Sequence, residues 1–144
     1  MIIAVDPGVH VCGYAFFEKG RLVKAGLVQD VPNGFRALPR ARFCVMELMQ
    51  AYPKCRANPN DLIRVAVVSG LVVGLYPAYA FVLPHEWKGS VPKKIHQQRI
   101  LTKLSVDEHT LVANITPKSL RHNAIDAVGL GLYYLEKTYG RRNP

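Results

Sequence analysis

The chain has 144 residues, 49% of them hydrophobic, which predicts one domain over residues 1–144 with a basic tail from about residue 138. A formal net charge of +9 favours a polyanionic partner, nucleic acid first, over a basic protein kept soluble by its charge. Three cysteines without a CxxC pair argue against a disulfide framework and a thiolate zinc site. The apolar stretches are too short to cross a bilayer, and a strand from residue 2 leaves no room for a signal sequence, so we expect a cytoplasmic protein that binds no membrane.

The opening stretch predicts a buried strand that ends on a carboxylate. Ile2 to Val5 are all apolar, and Pro7-Gly8 are turn residues that stop the strand directly after Asp6. Two further strands, Gly13 to Phe17 and Arg21 to Val28, complete a predicted meander. The carboxylate is therefore presented at a strand end.

A fourth predicted strand also ends on a carboxylate. Phe35 to Ala41 holds at most two helical turns, interrupted by Pro39, and Arg42 to Glu47 then predicts a strand. This connection is close to the shortest that a parallel crossover allows. If the first and fourth strands are adjacent and parallel, Asp6 and Glu47 emerge at the same carboxyl edge, where α/β sheets place their ligands.

An unusually apolar helix is predicted from Asp61 to Leu75, with Asn58 or Asn60 as its cap. Beyond its first residue its only polar members are Arg64 and Ser69, so it must be covered nearly all round, inside the core or across a dimer interface. The candidate interface residues are Leu62, Val65, Val67, Gly70, Leu71 and Gly74.

A basic segment and a basic helix follow a short strand, Ala80 to Leu83. Pro84 to Lys94 looks exposed, and Lys93 to Leu104 has a helical period that turns Ile95 inward and Gln97 outward. Such a face is either a solvated helix surface or, beside a catalytic cleft, a phosphate contact. The candidate DNA contacts are Lys54, Arg56, Trp87, Lys88, Lys93, Lys94, Gln98 and Arg99.

The last predicted helix carries a third isolated carboxylate. Ser105 to Pro117 is a connection without a clear period, and the helix runs from Ser119 to about Lys137. Asp126 lies among apolar residues, with His122 and Asn123 one turn earlier on its face. Because an unpaired buried carboxylate is costly, this acid needs a partner.

The three carboxylates predict a metal site. Asp6, Glu47 and Asp126 would repel one another unless a divalent cation neutralises them. Hard oxygen ligands with few nitrogens favour magnesium, with manganese as a substitute, over zinc. Two such ions about 4 Å apart activate a water and stabilise the leaving oxygen in phosphodiester hydrolysis.

Several motifs of the chain occur together in one known class of nuclease. They are Ile-Ala-Val-Asp6-Pro-Gly8 with Gly13-Tyr14, the strand-end Glu47, Pro84-x-x-Trp-Lys88-Gly89 with Lys93 and Lys94, and His122-Asn123-x-x-Asp126-Ala127. In this combination the chain resembles RuvC-type Holliday junction resolvases, particularly the short phage forms, over essentially its whole length. The resemblance implies an RNase H-like α/β fold with a five-stranded mixed sheet flanked by helices, a homodimer, two magnesium ions and cleavage of branched DNA.

One position departs from that family. Many members carry an acid or a histidine three residues before the last aspartate, and this chain has Asn123 there, so the metal set would be Asp6, Glu47, Asp126 and Asn123. An amide can ligate a hard cation but brings no charge, which weakens the site. His122 would contact the scissile phosphate or assist proton transfer, unless it pairs with nearby backbone.

Three alternatives stay open from the sequence. An RNase H-like nuclease could act on forks, flaps or RNA/DNA hybrids, or the acids could be structural in a branched-DNA-binding protein that does not cleave. A phosphate-binding fold of the sugar kinase and actin type is the third, but it expects a second glycine loop and a larger chain.

Overall fold

The structure, a computed structural model, describes residues 1–51 and 57–140. Its strands are β1 Ile2–Asp6, β2 Cys12–Glu18, β3 Arg21–Val28, β4 Phe43–Glu47 and β5 Tyr79–Val82. Its helices are α1 Pro59–Val73, α2 Pro84–Trp87, α3 Lys93–Leu101, α4 Val106–Ala113 and α5 Arg121–Tyr139, with 3-10 turns at Asn33–Ala37 and Lys118–Leu120. No helix in these ranges is long and apolar enough to cross a bilayer. The predicted DNA contacts Lys54 and Arg56 and the tail residues after 140 lie outside the described residues.

The strands form one mixed sheet in the order β3-β2-β1-β4-β5. The pairs β1–β2 and β2–β3 are antiparallel, whereas β1–β4 and β4–β5 are parallel. Val5 lies opposite Met46 in the central parallel pair, so Asp6 and Glu47, one residue further along, end β1 and β4 at the same edge. The predicted five-stranded mixed sheet and the predicted parallel neighbours are both confirmed.

Strand alternation turns both strand-end acids toward α5. Ile3 packs in the core layer that contains α1, whereas Ala4 and Val45 pack in the layer that contains α5. Asp6 and Glu47 follow Ala4 and Val45 by two residues, and side chains two apart in a strand share a face. The sheet therefore presents both carboxylates on its α5 side.

Glycines allow α5 to lie directly on the sheet. A Cβ on Gly13 would overlap the backbone of Asn123, and a Cβ on Gly131 would overlap the ring of Phe17. With only hydrogen at these positions, the first turn of α5 reaches the edge where β1 ends. Asp126 thereby joins the two strand-end acids on one face.

α1 covers the other side of the sheet with one face only. It spans Pro59–Val73 instead of the predicted 61–75, because the Asn58 side chain accepts the Asn60 N–H (2.9 Å) and caps an earlier first turn. Val65, predicted at a dimer interface, is instead buried within the single chain, since it lies on the covered face. The other interface candidates are half-buried or exposed: Leu62, Val67, Gly70, Leu71 and Gly74.

Two helices lie where the sequence analysis predicted none. α2 is a single turn inside the segment predicted as exposed, and α4 lies inside the predicted connection 105–117. α4 begins with a capping box, in which the Ser105 hydroxyl accepts the Glu108 N–H (3.4 Å) and the Glu108 carboxylate accepts the Ser105 N–H (3.0 Å). The same carboxylate accepts the Leu22 N–H (2.7 Å), which fixes α4 to β3. The Ser-x-x-Glu spacing was the sequence signal for this helix.

α3 is shorter than predicted, and two of its side chains face differently from the prediction. It ends at Leu101 instead of Leu104, Ile95 is exposed rather than inward, and Gln97 is half-buried rather than outward. The reason is that Ile100 is the buried contact of α3 with the α5 layer. Gln97, three residues before it, shares that face, whereas Ile95, five residues before it, lies on the opposite side.

Candidate active site

Three carboxylates lie near one another at the carboxyl edge of β1 and β4. Glu47 and Asp126 are buried, at 5% and 3% exposure, and Asp6 is half-buried. The pKa of Asp6 is raised from 3.8 to about 7, mainly by burial and next by the negative charge of Asp126. Glu47 adds to this rise, while Lys88 and Lys93 oppose it. All three acids and both lysines therefore lie within electrostatic reach of one another.

The α2 turn holds Glu47 with two donors. The indole Nε1–H of Trp87 donates to Oε2 of Glu47 (2.7 Å). Nζ of Lys88 lies 2.7 Å from the same oxygen and donates to Oε1 (3.1 Å). These donors are in place because α2 directly follows β5, the parallel neighbour of β4, and because the Glu86 carboxylate accepts the Leu83 N–H (2.8 Å) and closes the turn.

α3 holds Asp126 in a matching way. Nε2–H of Gln97 donates to Oδ1 of Asp126 (2.7 Å) and to the backbone oxygen of His122 (3.2 Å). Nζ of Lys93 lies 3.0 Å from Oδ2. Gln97 was not predicted as a site residue, although its spacing of four residues from Lys93 places both on one helix face and was the available signal.

Trp87 is directed into the site instead of toward solvent. Its ring meets the ring of His96 edge-on at 4.9 Å between centroids, and Nζ of Lys88 lies 4.7 Å from its centroid. A Cβ on Gly129 would come within 2.8 Å of Cζ3 of Trp87, so that glycine makes room for the indole on α5. Trp87 was predicted as a DNA contact, but α2 turns its N–H toward Glu47.

The predicted roles of His122 and Asn123 stay predictions. Nδ1 of His122 lies 3.0 Å from the backbone oxygen of Ser119, which is the backbone pairing weighed as its alternative. The backbone of Asn123 lies against Gly13. Asn123 is half-buried in the first turn of α5. Both residues are therefore close to the acids in the chain, one turn before Asp126.

The three acids match a hard divalent cation in ligand chemistry, not in their present side-chain arrangement. Among residues 1–51 and 57–140, no three Asp, Glu, His or Cys side chains converge closely enough to hold a metal ion as they stand. Lysines instead contact the carboxylates of Glu47 and Asp126. The site nonetheless concentrates three carboxylate groups, the ligand type that magnesium and manganese prefer.

The outer face of α3 carries the remaining predicted DNA contacts of this region. Lys94, Gln98 and Arg99 are exposed, as the sequence predicts. They lie on the helix that also supplies Lys93 and Gln97 to Asp126. A positively charged surface thus borders the acidic site directly.

Solved structures with a similar fold include two of a bacterial protein and one of a viral protein. Thermus thermophilus RuvC in complex with its Holliday junction substrate shares 13% identity at a TM-score of 0.62, with 96% of each chain covered. A second structure of Thermus thermophilus RuvC shares 14% identity at 0.57, covering 99% of this chain and 98% of that one. Fowlpox virus resolvase in complex with Holliday junction DNA shares 17% identity at 0.60, covering 95% of this chain and 99% of that one.

Sequence comparison adds nothing to these structures, because no family model matches the chain and no curated protein is similar to it in sequence. At 13–17% identity the similarity concerns the fold. It extends over nearly the whole length of each chain, so it is not limited to the central sheet. The chain has the RNase H-like fold of the RuvC-type and poxvirus Holliday junction resolvases, and the resemblance seen in its motifs is confirmed at that level.

Proposed function

We propose that this protein is a metal-dependent endonuclease that cleaves Holliday junctions or other branched DNA. The observation that carries the proposal is the meeting of Asp6, Glu47 and Asp126 at the carboxyl edge of a resolvase-like sheet, beside a lysine-bearing segment. Two of the structures similar to this chain contain Holliday junctions. The net charge of +9 suits a DNA substrate.

Asp6, Glu47 and Asp126 would hold two magnesium ions, with the amide of Asn123 as a further ligand and manganese as a substitute. Bound ions of this type supply an activated water and charge stabilisation for in-line phosphodiester hydrolysis. The chain itself must provide a deprotonated Asp6, and its pKa of about 7 makes this a function of pH. His122, one turn before Asp126 in the chain, would contact the scissile phosphate or assist proton transfer.

The DNA contacts of this proposal are the basic residues around the site. Lys94 and Arg99 are exposed on α3, and Gln98 lies between them in the chain. Contacts of this kind hold phosphates without reading sequence, so binding should weaken steeply with salt.

A second copy of the chain is the partner that this reaction needs. Resolving a four-way junction takes two symmetric nicks, and a two-fold homodimer is the simplest way to make them. The uncovered face of α1 carries an apolar stripe at spacings of four residues, comprising Ile63, Val67, Leu71 and, beyond the helix end, Leu75, with 62%, 58%, 49% and 54% exposure. A Cβ on Gly70 would point into open space, so this face has room for a close neighbour. We propose that two copies pair through this stripe.

The decisive experiment is a cleavage panel over duplex, RNA/DNA hybrid, flap, fork and four-way junction, each with magnesium, with manganese and with a chelator. The proposal expects paired nicks in the four-way junction that require either metal. Preferred cutting of forks, flaps or hybrids would show that the protein is a nuclease with a substrate other than the four-way junction. Cleavage that survives full chelation would contradict the metal-dependent mechanism.

A branched-DNA-binding protein that does not cleave is the second candidate. The observation in its favour is that Glu47 and Asp126 are already neutralised by Lys88 and Lys93, as structural acids would be. The same panel separates the two candidates, because this one expects tight junction binding and no product with either metal.

A further inference from the structure

Glu47 and Asp126 are each held by one lysine and one uncharged N–H donor. Trp87 and Lys88 hold Glu47, whereas Gln97 and Lys93 hold Asp126. The two donor pairs come from one stretch of chain, α2 to α3, that lies across the site. The arrangement is therefore repeated on two acids by different residues of a single segment.

The two donor types differ in how firmly they are fixed. Trp87 is packed against His96 and over Gly129, and Gln97 is fixed by a second hydrogen bond to the backbone of His122. The lysine side chains reach the surface, at 59% exposure for Lys93 and 30% for Lys88. A lysine is a point charge on a flexible stem, so its ammonium group can leave a carboxylate without disturbing the fold.

The charges explain why lysines occupy these positions. Three carboxylates at one sheet edge repel one another, and hydrogen bonds from Trp87 and Gln97 bring no charge to offset this. Lys88 and Lys93 do bring charge, and both act to lower the pKa of Asp6. Each lysine contacts one acid, however, whereas a divalent cation interacts with several carboxylates at once.

We propose that Lys88 and Lys93 are exchangeable counter-ions of the site. Without a divalent ion they neutralise Glu47 and Asp126, and when such an ion binds they are released to contact DNA phosphates. This inference rests on the proposed function, which it extends by coupling metal binding to DNA binding. By thermodynamic linkage, the ion must then raise DNA affinity by the same factor by which DNA raises ion affinity.

The exchange predicts opposite effects of one substitution on two ligands. Lys93→Met removes the competitor for Asp126, so the protein without DNA should bind Ca2+ about fivefold more tightly, within the usual range of coupling between sites. The same change removes a phosphate contact that exists only after release. Junction affinity should then fall in Ca2+ but hardly change in a chelator.

Lys94→Met is the matched control. Lys94 is the neighbouring residue on α3, is exposed, and has no ion pair with an acid among residues 1–51 and 57–140. Its loss should weaken junction binding equally in Ca2+ and in chelator and leave the Kd for Ca2+ unchanged. A general loss of positive charge would instead make the two variants behave alike.

The measurements are titration calorimetry of Ca2+ into the DNA-free protein at pH 8, and fluorescence anisotropy of a labelled four-way junction with Ca2+ or chelator. Ca2+ is chosen because its loose shell should support binding with little turnover. Lys88→Met, read in the same way, is the second variant if Lys93→Met fails to fold by circular dichroism. A tighter Kd for Ca2+ combined with a reduced gain of junction affinity supports the exchange.

Failure of the exchange can be told apart from failure of the proposed function. If wild-type protein binds Ca2+ and cleaves junctions in magnesium, but the lysine variants keep or weaken the wild-type Kd for Ca2+, the exchange alone is overturned. If wild-type protein binds no Ca2+ and cleaves none of the DNA substrates, both the exchange and the proposed function are overturned. Equal junction affinity of wild-type protein in Ca2+ and chelator also overturns the exchange.

Discussion

The two longest helices look alike in sequence and serve opposite sides of the sheet. In α5, ten of 19 residues are buried, and one of them is Asp126. In α1, five of 15 are buried, and large apolar side chains such as Val67 and Leu71 are left exposed. Apolar composition therefore has two causes in one chain: α5 lies between the sheet and α3, whereas α1 has one face for the sheet and another that a single copy leaves uncovered.

The two sides of the sheet therefore have different proposed roles, chemistry on the α5 side and assembly on the α1 side. On the α5 side, close contact places an acid beside Asp6 and Glu47, so small changes there should affect chemistry. On the α1 side, the surface is available to a second copy, so changes there should affect assembly and leave a single site intact. The following predictions set one side against the other.

The largest expected effect is loss of cleavage on the α5 side. Asp6→Asn, Glu47→Gln and Asp126→Asn should each lower the rate of junction cleavage by more than about a hundredfold, the upper end for removing a supporting residue, because each removes a proposed metal ligand. Junction binding should persist or tighten, since repulsion of phosphate falls. Rates and anisotropy on folded variants measure both.

Asp61→Asn supplies the control on the α1 side. Asp61 is an exposed acid whose Oδ1 lies 3.7 Å from a guanidinium nitrogen of Arg64. It has no role in the proposed site. It should cleave like wild type. Cleavage retained by any two of the three site variants would contradict the site itself.

The next effect concerns assembly. Leu71→Asp places a charge in the exposed stripe of α1 and should convert a dimer into a monomer, because an unpaired charge in an apolar interface is costly. Paired nicking and most of the preference for junctions over duplex should be lost. Sedimentation and nick mapping give the readout.

Val106→Asp adds the same charge to an equally apolar but more exposed residue, 83% exposed, at the start of α4. It should remain dimeric and nick in pairs. A wild-type protein that is monomeric on junction DNA at micromolar concentration, or a Leu71→Asp variant that still dimerises, would rule out the proposed interface.

A smaller effect is expected from the donor that orients Asp126. Gln97→Ala removes the hydrogen bond to Oδ1 and should weaken Ca2+ binding about tenfold, as for other residues that support a metal ligand. Gln98→Ala, one residue further on the exposed face of α3, should leave the Kd for Ca2+ unchanged. Calorimetry without DNA measures this directly, and equal values for both variants would show that Gln97 does not orient the acid.

The contact of α5 with the sheet can be tested through two glycines. Gly13→Ala places a methyl group against the backbone of Asn123 and should lower the free energy of unfolding by up to about 3 kcal/mol. Gly70→Ala faces open space on α1 and should be neutral or stabilising, because alanine is the better helix former. Denaturant unfolding compares the two, and equal effects would mean that α5 tolerates a wider spacing.

Sequence alone predicted the sheet and the acids well, for a physical reason. Asp6 and Glu47 end short apolar strands, and the position of a residue at a strand end is a local property of the chain. The face of α5 that carries Asp126 follows from helical period in the same way. Gly13, part of the motif at the start of the chain, is explained by the close approach of α5, because a side chain there would overlap the backbone of Asn123.

The contacts of the acids were not predictable in this way. That Trp87 and Gln97 serve Glu47 and Asp126 depends on how α2 and α3 dock, which is decided by Gly129 and Ile100 on surfaces distant in sequence. The basic segment was therefore interpreted as a solvated surface or a DNA contact, without a role toward the acids. The prediction that Val65 lies at a dimer interface was wrong for a similar reason, since a helix apolar on both faces gives no periodic signal for which face is covered.

A further expected effect is on stability and concerns the charge of Asp6. Its pKa rises from 3.8 to about 7 on folding, so between these pH values the folded protein binds a proton that the unfolded chain has released. Wild-type stability should therefore fall as pH rises from 5 to 7 and level off above. Asp6→Asn has no titratable carboxyl group at this position, so its stability relative to wild type should grow by about 3 kcal/mol between pH 5 and pH 8 in a chelator.

Thermal unfolding of both proteins at the two pH values measures this gain. Glu18→Gln is the control, because it removes an exposed carboxylate from the end of β2 without touching the site, and it should show no comparable dependence on pH. Magnesium at pH 8 should stabilise wild type and narrow its difference from Asp6→Asn, since a bound cation replaces the proton as the neutralising charge. If the stability of Asp6→Asn relative to wild type is the same at pH 5 and pH 8, Asp6 is already charged at pH 5. The electrostatic repulsion between the acids on the α5 side is then weaker than the burial of Asp126 and Glu47 indicates.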